Sequence, residues 1–202
     1  MTTAFDVVLF DLGGVLVDFG GVEPMKQLTG IDSDDEIWRR WLSCEAVRVY
    51  ERGGSGVDEF AAGVVADFEL PLTPAEFVDS FRRWIGGPLP GARELIEATR
   101  AVVAVGCLSN TNPLHYDEHF RHWDETAGLE HRLFSYELGA VKPDREIYDR
   151  AVEALGVPAT RIAFLDDNRI NVDGALDAGL VARQARGVDE ARAALVELGV
   201  LG

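Results

Sequence analysis

Short apolar runs recur along the chain at 5–10 (FDVVLF), 102–108 (VVAVGCL) and 162–165 (IAFL), with a weaker one at 180–182 (LVA). They are rich in β-branched and aromatic residues and bounded by turn formers, which predicts buried strands. Helical patterns lie between the later runs: 90–100 opens with Pro90 and Gly91, 144–155 is closed by Gly156, and 171–178 is closed by Gly179. Strand and helix therefore alternate. That alternation predicts an α/β fold built on a doubly wound, Rossmann-like parallel sheet covered on both faces. In such sheets ligands bind at the carboxyl ends of the strands, near the point where strand order reverses.

Residues 19–87 break the rhythm. Helical stretches are predicted near 33–43, 57–68 and 74–85, with Gly53, Gly54 and Gly56 between the first two and no strand in the segment. Gly20-Gly21 and Gly86-Gly87-Pro88 mark its edges and suit hinges. The expected organisation is an α/β core of residues 1–18 and 88–202 with an inserted all-helical unit, residues 19–87. A chain of 202 residues is long enough to bury a core of that kind.

Charge narrows the class of function. Thirty-five Asp and Glu against 19 Lys and Arg give a formal charge of −16, which argues against nucleic-acid and membrane-surface partners. It also disfavours phosphate esters, so a phosphate site needs a local island of cation, lysine and backbone amides. No run approaches the ~18 apolar residues of a membrane span, and the MTTAFD start lacks the basic-then-apolar layout of a signal peptide, so a cytoplasmic location is expected. Cys44 and Cys107 are expected as reduced, buried thiols.

Chemistry gathers just past the predicted strand ends. The first strand runs into Asp11-Leu12-Gly13-Gly14, the second into Ser109-Asn110-Thr111-Asn112, and the third into Asp166-Asp167-Asn168 with Asn171 one turn on; a further segment offers Val141-Lys142-Pro143-Asp144. Phosphoryl transfer needs a nucleophile, a cation for the phosphate oxygens and hydrogen-bond donors around them. Asp11 can attack, and Asp11 with Asp167 can hold Mg²⁺. Lys142 adds a fixed positive charge, and Ser109 with the Asn110 amide supplies donors. Taken singly, each has a plainer role: a turn residue for Asp11, a helix cap for Ser109, Asn112 or the Asp166-Asp167 pair, a solvated loop side chain for Lys142.

In this order VVLFDLGGVLVDF (7–19), CLSNTN (107–112), VKPDREIY (141–148) and FLDDNRINVDGALDAG (164–179) resemble the four motifs of the haloacid dehalogenase superfamily. The resemblance implies a magnesium-dependent phosphatase acting on a small phosphorylated metabolite through an aspartyl-phosphate on Asp11. It makes Asp11, the Gly13 carbonyl and Asp167 the metal ligands, with Asp166 either behind them or reaching the ion through water. Ser109 and Asn110 would bind the phosphate, and Lys142 would pair with both Asp11 and the transferred group. The helical insertion falls where many members carry a cap. LGGVL, LSNTN and the YERGG stretch at 50–54 are most similar to the bacterial α-D-glucose-1-phosphate phosphatases, which implies a sugar 1-phosphate as the finer expectation.

One position departs from the pattern. Many family phosphatases carry a second aspartate two residues after the nucleophile as general acid, and here that residue is Gly13. General acid help is typically worth about 10²–10⁴-fold, so either turnover is slow or another carboxyl serves. Asp18 is the candidate, with flap structure or solvent exposure as its plainer reading. A phosphate-binding or partner-binding module with little turnover is the alternative function; a haloacid dehalogenase is a weaker one, because dehalogenases usually have an aromatic residue at that place. His115, His119 and His122 fall at helical spacing without the glutamate or cysteines of a zinc site. Trp38, Trp41, Trp84 and Trp123 read as packing residues, and Arg48 and Arg52 as a solvated helix face with substrate contact as the other possibility.

Overall fold

The computed structural model describes residues 3–202; Met1 and Thr2, the start of the MTTAFD segment, lie outside the described residues. β1 (Val7–Phe10) leads through a tight loop to β2 (Val17–Phe19). Five helices follow, α1 (Val22–Thr29), α2 (Asp34–Ser43), α3 (Glu45–Glu51), α4 (Val57–Asp67) and α5 (Pro74–Phe81), before the chain returns along β3 (Ile85–Pro88). The remainder alternates: α6 (Ala92–Arg100), β4 (Ala104–Ser109), α7 (Pro113–Glu118), β5 (His131–Phe134), α8 (Ser135–Leu138), α9 (Arg145–Leu155), β6 (Ile162–Asp166), α10 (Arg169–Asp177), β7 (Val181–Gln184) and α11 (Gly187–Glu197).

Strands β5-β4-β1-β6-β7 form one parallel sheet in that order. All four residues of β1 are buried, and they face opposite sides in turn. Val8 and Phe10 pack with Leu95, Ile96 and Leu195 on one face, while Val7 and Leu9 pack with Ile147, Tyr148 and Phe164 on the other. Burying each such side chain contributes about 1.5–3 kcal/mol, so the sheet centre is the best anchored part of the fold. The doubly wound α/β expectation holds. β5 was not anticipated, because its His131 and Arg132 keep HRLF from reading as an apolar run; it can carry them because it is an edge strand. Among the described residues no helix is long and apolar enough to cross a membrane.

The helices of the insertion enclose a separate apolar cluster that includes Met25, Ile37, Trp41, Phe60, Phe77 and Trp84. Their starts are written locally. Ser33 caps α2 by accepting from the Glu36 amide at 3.3 Å, and Thr73 and Glu76 form a reciprocal capping box at α5, with Pro74 in its first turn. The insertion is not purely helical, and the helix expected over 74–85 stops at Phe81 before a short 3₁₀ turn. Ile85–Pro88 instead pairs antiparallel with β2, Asp18 opposite Gly87. Gly86 permits the pairing, since a Cβ there would lie 3.0 Å from Asp18 Cγ. Of the glycines read as hinges, Gly86 and Gly87 thus belong to a two-stranded ribbon with β2, while Gly20 and Gly21 lie between β2 and α1, the Gly20 amide donating to the Trp84 carbonyl at 2.7 Å.

Candidate functional site

β1 lies between β4 and β6, with Phe10 opposite both Cys107 and Leu165. One step further along the three strands stand Asp11, the Leu108-Ser109 end of β4 and Asp166. Neighbouring strands are about 4.8 Å apart, and the carboxylates of Asp11, Asp166 and Asp167 place one oxygen each within 4.8 Å of one another. Such a cluster needs positive charge. Lys142, only 1% exposed, reaches in with Nζ 2.9 Å from Asp11 Oδ1 and 2.6 Å from Asp166 Oδ2. Its backbone is pinned by Asn110, whose Nδ2 donates to the Lys142 carbonyl at 3.1 Å and whose Oδ1 accepts from the Lys142 amide at 2.8 Å.

The three carboxylates are not equivalent. Asp166 is saturated: it accepts from Lys142, from the Asn168 amide at 2.8 Å and from Asn171 Nδ2 at 3.1 and 3.2 Å. Asp11 accepts from the Leu12 amide at 2.8 Å as well as from Lys142. Asp167 lines the cavity and has no ion-pair partner among the described residues. Burial pushes the Asp11 carboxyl up to about 6, with Lys142 pulling down and Asp166 pushing up. Asp167 is pushed up to about 8 by burial and by its neighbours Asp11 and Asp166. Burial works against the charge of Lys142, yet Asp11 and Asp166 hold it above the ordinary lysine range. One ammonium among three carboxylates leaves room for a further cation. Gly14, at φ +73, lets Asp167 approach, since a Cβ there would lie 2.6 Å from Asp167 Cγ. Asn171 Oδ1, buried without a hydrogen-bond partner, belongs to a residue lining the same space and suits a hydrated divalent ion, whose waters donate to such an oxygen.

Residues 5–179 match the haloacid dehalogenase-like hydrolases. The chain belongs to this family. A relative named phosphatase MT3486, from Mycobacterium tuberculosis (strain CDC 1551 / Oshkosh), is 30% identical over 190 residues, covering 89% of this chain and 86% of the relative. The sesquiterpene phosphatase astK of Aspergillus oryzae (strain ATCC 42149 / RIB 40) is 28% identical over 197 residues, 90% of each chain. Among solved structures, the HAD family enzyme BT-2542 of Bacteroides thetaiotaomicron, crystallised with magnesium and inorganic phosphate, superposes with a TM-score of 0.67 at 22% identity, covering 90% of this chain and 94% of that one.

In this haloacid dehalogenase-like hydrolase the cavity at the strand ends brings together Asp11, Gly13, Ser109, Asn110, Lys142 and Asp167. Asp166 sits behind them, fully buried. Asp18 is not brought in: it is exposed on β2, with its carboxylate against Gly86. Asn112 caps α7, as its plainer reading had it, accepting from the His115 amide at 3.0 Å. The cap of α10 is Asn168 rather than the Asp166-Asp167 pair. Both cysteines are free and buried. Trp41 and Trp84 are packing residues, but Trp38 and Trp41 also face the cavity. Arg48 and Arg52 depart from the solvated-face reading, since both pair with Asp144 Oδ2, Arg52 at 2.7 Å. Glu51, from the insertion, also lines the cavity and was missed. Its only trace in the sequence is its place in YERGG.

The three histidines point to separate backbone carbonyls. His115 Nε2–H donates to Phe81 at 2.9 Å, His119 to Arg82 at 3.0 Å and His122 to Asp117 at 3.0 Å. Burial lowers His115 to about 4, against the pull of the Phe81 carbonyl, so the fold holds it neutral. A histidine depressed in the folded state leaves stability intact above its ordinary value near 6.5. As pH falls from there to about 4, the unfolded chain takes up a proton that the folded chain refuses, costing about 3 kcal/mol. Urea unfolding of wild type and His115→Asn should therefore show a gap at pH 7 that narrows by about that amount at pH 4. A gap independent of pH would show that His115 titrates normally.

Proposed function

We propose that this hydrolase is a magnesium-dependent phosphatase that releases phosphate from a small phosphorylated metabolite through an aspartyl-phosphate on Asp11. The observation that carries the reading is the Lys142 ammonium shared by Asp11 and Asp166 beside Asp167, which has no ion-pair partner among the described residues. Asp11, the Gly13 carbonyl and Asp167 would hold Mg²⁺, which when bound neutralises phosphate oxygens as a Lewis acid. Asp11 attacks phosphorus, and Lys142 stays beside both the carboxylate and the transferred group. Ser109 donates its hydroxyl to the phosphate. The side chain of Asn110 is spent on Lys142, so its contribution is the backbone N–H. Water then displaces Asp11 from phosphorus. Residues 19–87 act as a cap that closes over this pocket about the β2–β3 ribbon and keeps stray water from the acyl phosphate. A pure binding module has no use for a buried carboxylate held at a lysine in this way. Two relatives bear phosphatase names, and BT-2542 was solved with magnesium and phosphate, which supports the same reading.

The cavity beyond the phosphate end favours an apolar leaving group over the sugar 1-phosphate of the subgroup resemblance. Its walls there are Phe19, Trp38, Trp41, Leu42, Phe81 and Ile85. The polar side chains among them are Glu51, Thr111, Asn112 and His115, and the last two are committed to each other, to α7 and to Phe81. A sugar ring would leave hydroxyls without partners, at about 1–3 kcal/mol each. The name of the sesquiterpene phosphatase relative supports an apolar substrate of this kind. The test is magnesium-dependent phosphate release from a prenyl phosphate, glucose 1-phosphate and glucose 6-phosphate. With each buried CH₂ worth about 0.8 kcal/mol, kcat/KM for the prenyl ester should exceed that of either sugar on the order of tenfold or more. Asp167→Ala should abolish the magnesium-dependent turnover and leave the fold intact. A preference for either sugar phosphate would sink the apolar assignment; unchanged activity in Asp167→Ala would sink the metal assignment.

A further inference from the structure

One buried carboxyl in the pocket has no part in the chemistry so far. Glu51 ends α3, is 8% exposed, and lines the cavity together with Asp11, Ser109 and Lys142. It forms no ion pair among the described residues. Its position is set from two sides. Arg48 and Arg52, on the same stretch of chain, both grip Asp144, two residues past Lys142. Just beyond, Gly53 takes a positive φ of +75 and packs so close to α8 that a Cβ would lie 2.7 Å from the Tyr136 carbonyl. α3 is thereby docked against the loop that carries Lys142, with Glu51 turned into the site.

We propose that Glu51 is the acid–base residue of this enzyme, doing from the cap what a carboxyl at position 13 would do from the core. The proposal rests on the phosphatase reading. As the bond between phosphorus and the departing oxygen breaks and Asp11 bonds to phosphorus, Glu51 gives its proton to that oxygen, releasing a neutral alcohol. Glu51, now a carboxylate, then takes a proton from the water whose oxygen bonds to phosphorus as the Asp11–phosphorus bond breaks. Inorganic phosphate leaves and both carboxyl groups are restored. The groups around Glu51 suit the first step: burial pushes its carboxyl up to about 8, Asp11 adds to this, and Lys142, the Trp41 indole and Arg48 pull the other way. In the metal-free protein it therefore holds a proton at neutral pH. The rivals fail on geometry, since Asp18 lies outside the cavity and the Nε2–H of His115 is spent on Phe81. An apolar alkoxide is a poor leaving group, so this proton matters most for the substrates that the aromatic wall favours.

The test compares wild type and Glu51→Gln on kcat/KM for phosphate monoesters running from an alkyl phosphate to p-nitrophenyl phosphate, whose leaving group departs without a proton. kcat/KM reports the first, phosphorylating step. Glu51→Gln should lose about 10²–10⁴-fold on the alkyl ester and at least about a hundredfold less on the nitrophenyl ester, steepening the dependence on leaving-group basicity. On the nitrophenyl ester it should also show a burst of nitrophenolate before a slow steady state, because the water attack has lost its base. An equal loss across the series, or none, overturns the role of Glu51 and leaves the phosphatase reading standing. Failure of wild type to release phosphate from any ester, with Asp11→Asn run beside it, overturns both.

Discussion

Asp11→Asn is expected to lower magnesium-dependent phosphate release on the order of 10⁴-fold or more, while the protein stays folded. An amide nitrogen or oxygen cannot form the acyl phosphate, and loss of a nucleophile in other covalent enzymes has effects of that order or larger. The fold should tolerate the change because Asp11 is held at an energetic disadvantage. Burial and Asp166 push its carboxyl up to about 6, which means that the folded state resists its charge at neutral pH. Lys142 keeps a partner after the substitution, since Asp166 Oδ2 remains 2.6 Å away. In metal-free protein the urea midpoint of the variant should therefore equal or exceed that of wild type, a local exchange of stability for activity. Retention of more than about a hundredth of wild-type turnover would remove Asp11 from the nucleophile's role.

Lys142→Met should have the opposite balance, a lost activity together with a large loss of stability. Removing one member of a buried ion pair leaves uncompensated charge inside the protein, which costs about 3–5 kcal/mol. Here the loss strands Asp11 and Asp166 together, both contacted by the same Nζ, with Asp167 close by. The penalty should be coupled to those carboxylates. Adding Asp166→Asn to Lys142→Met should restore at least about 1 kcal/mol relative to the sum of the single changes, as residues in one network depart from additivity by 0.5–3 kcal/mol. Urea unfolding at pH 7 without added metal measures all three variants. Additive losses would mean that Lys142 acts through packing alone.

Much of the site was legible because its chemistry is written in short stretches at strand ends. Asp11, Ser109 and Asp166-Asp167 each follow or end an apolar run, and the parallel sheet brings those ends to one edge, where Lys142 joins them from the loop between α8 and α9. Helices with strong local signals were equally readable, as Ser33, Thr73-Pro74 and Gly156 show. Elements with weak local signals were not. α3 has seven residues, too few for a period to emerge, and β5 carries polar residues that only its edge position makes acceptable. Ile85–Pro88 is a strand through its partner, not its composition, since glycine and proline disfavour strands on their own.

Asp18 and Glu51 show the boundary most clearly. Position 13 told of a missing carboxyl, and sequence proximity to Asp11 then favoured Asp18. Asp18 is turned outward by the pairing of β2 with β3, a period-two effect that a single register decides. Glu51, 40 residues from Asp11 in the chain, is turned inward by Arg48 and Arg52 reaching Asp144 across separations of 96 and 92 residues. By itself the sequence determined the central strands of the sheet, the helices with strong local signals and which groups stand at those strand ends, because those follow from local pattern and the geometry of parallel strands. Which carboxyl of the insertion faces the cavity, and how apolar the wall beside it is, were decided only by the tertiary structure, because they depend on how one packed layer docks on another through contacts that leave no periodic trace.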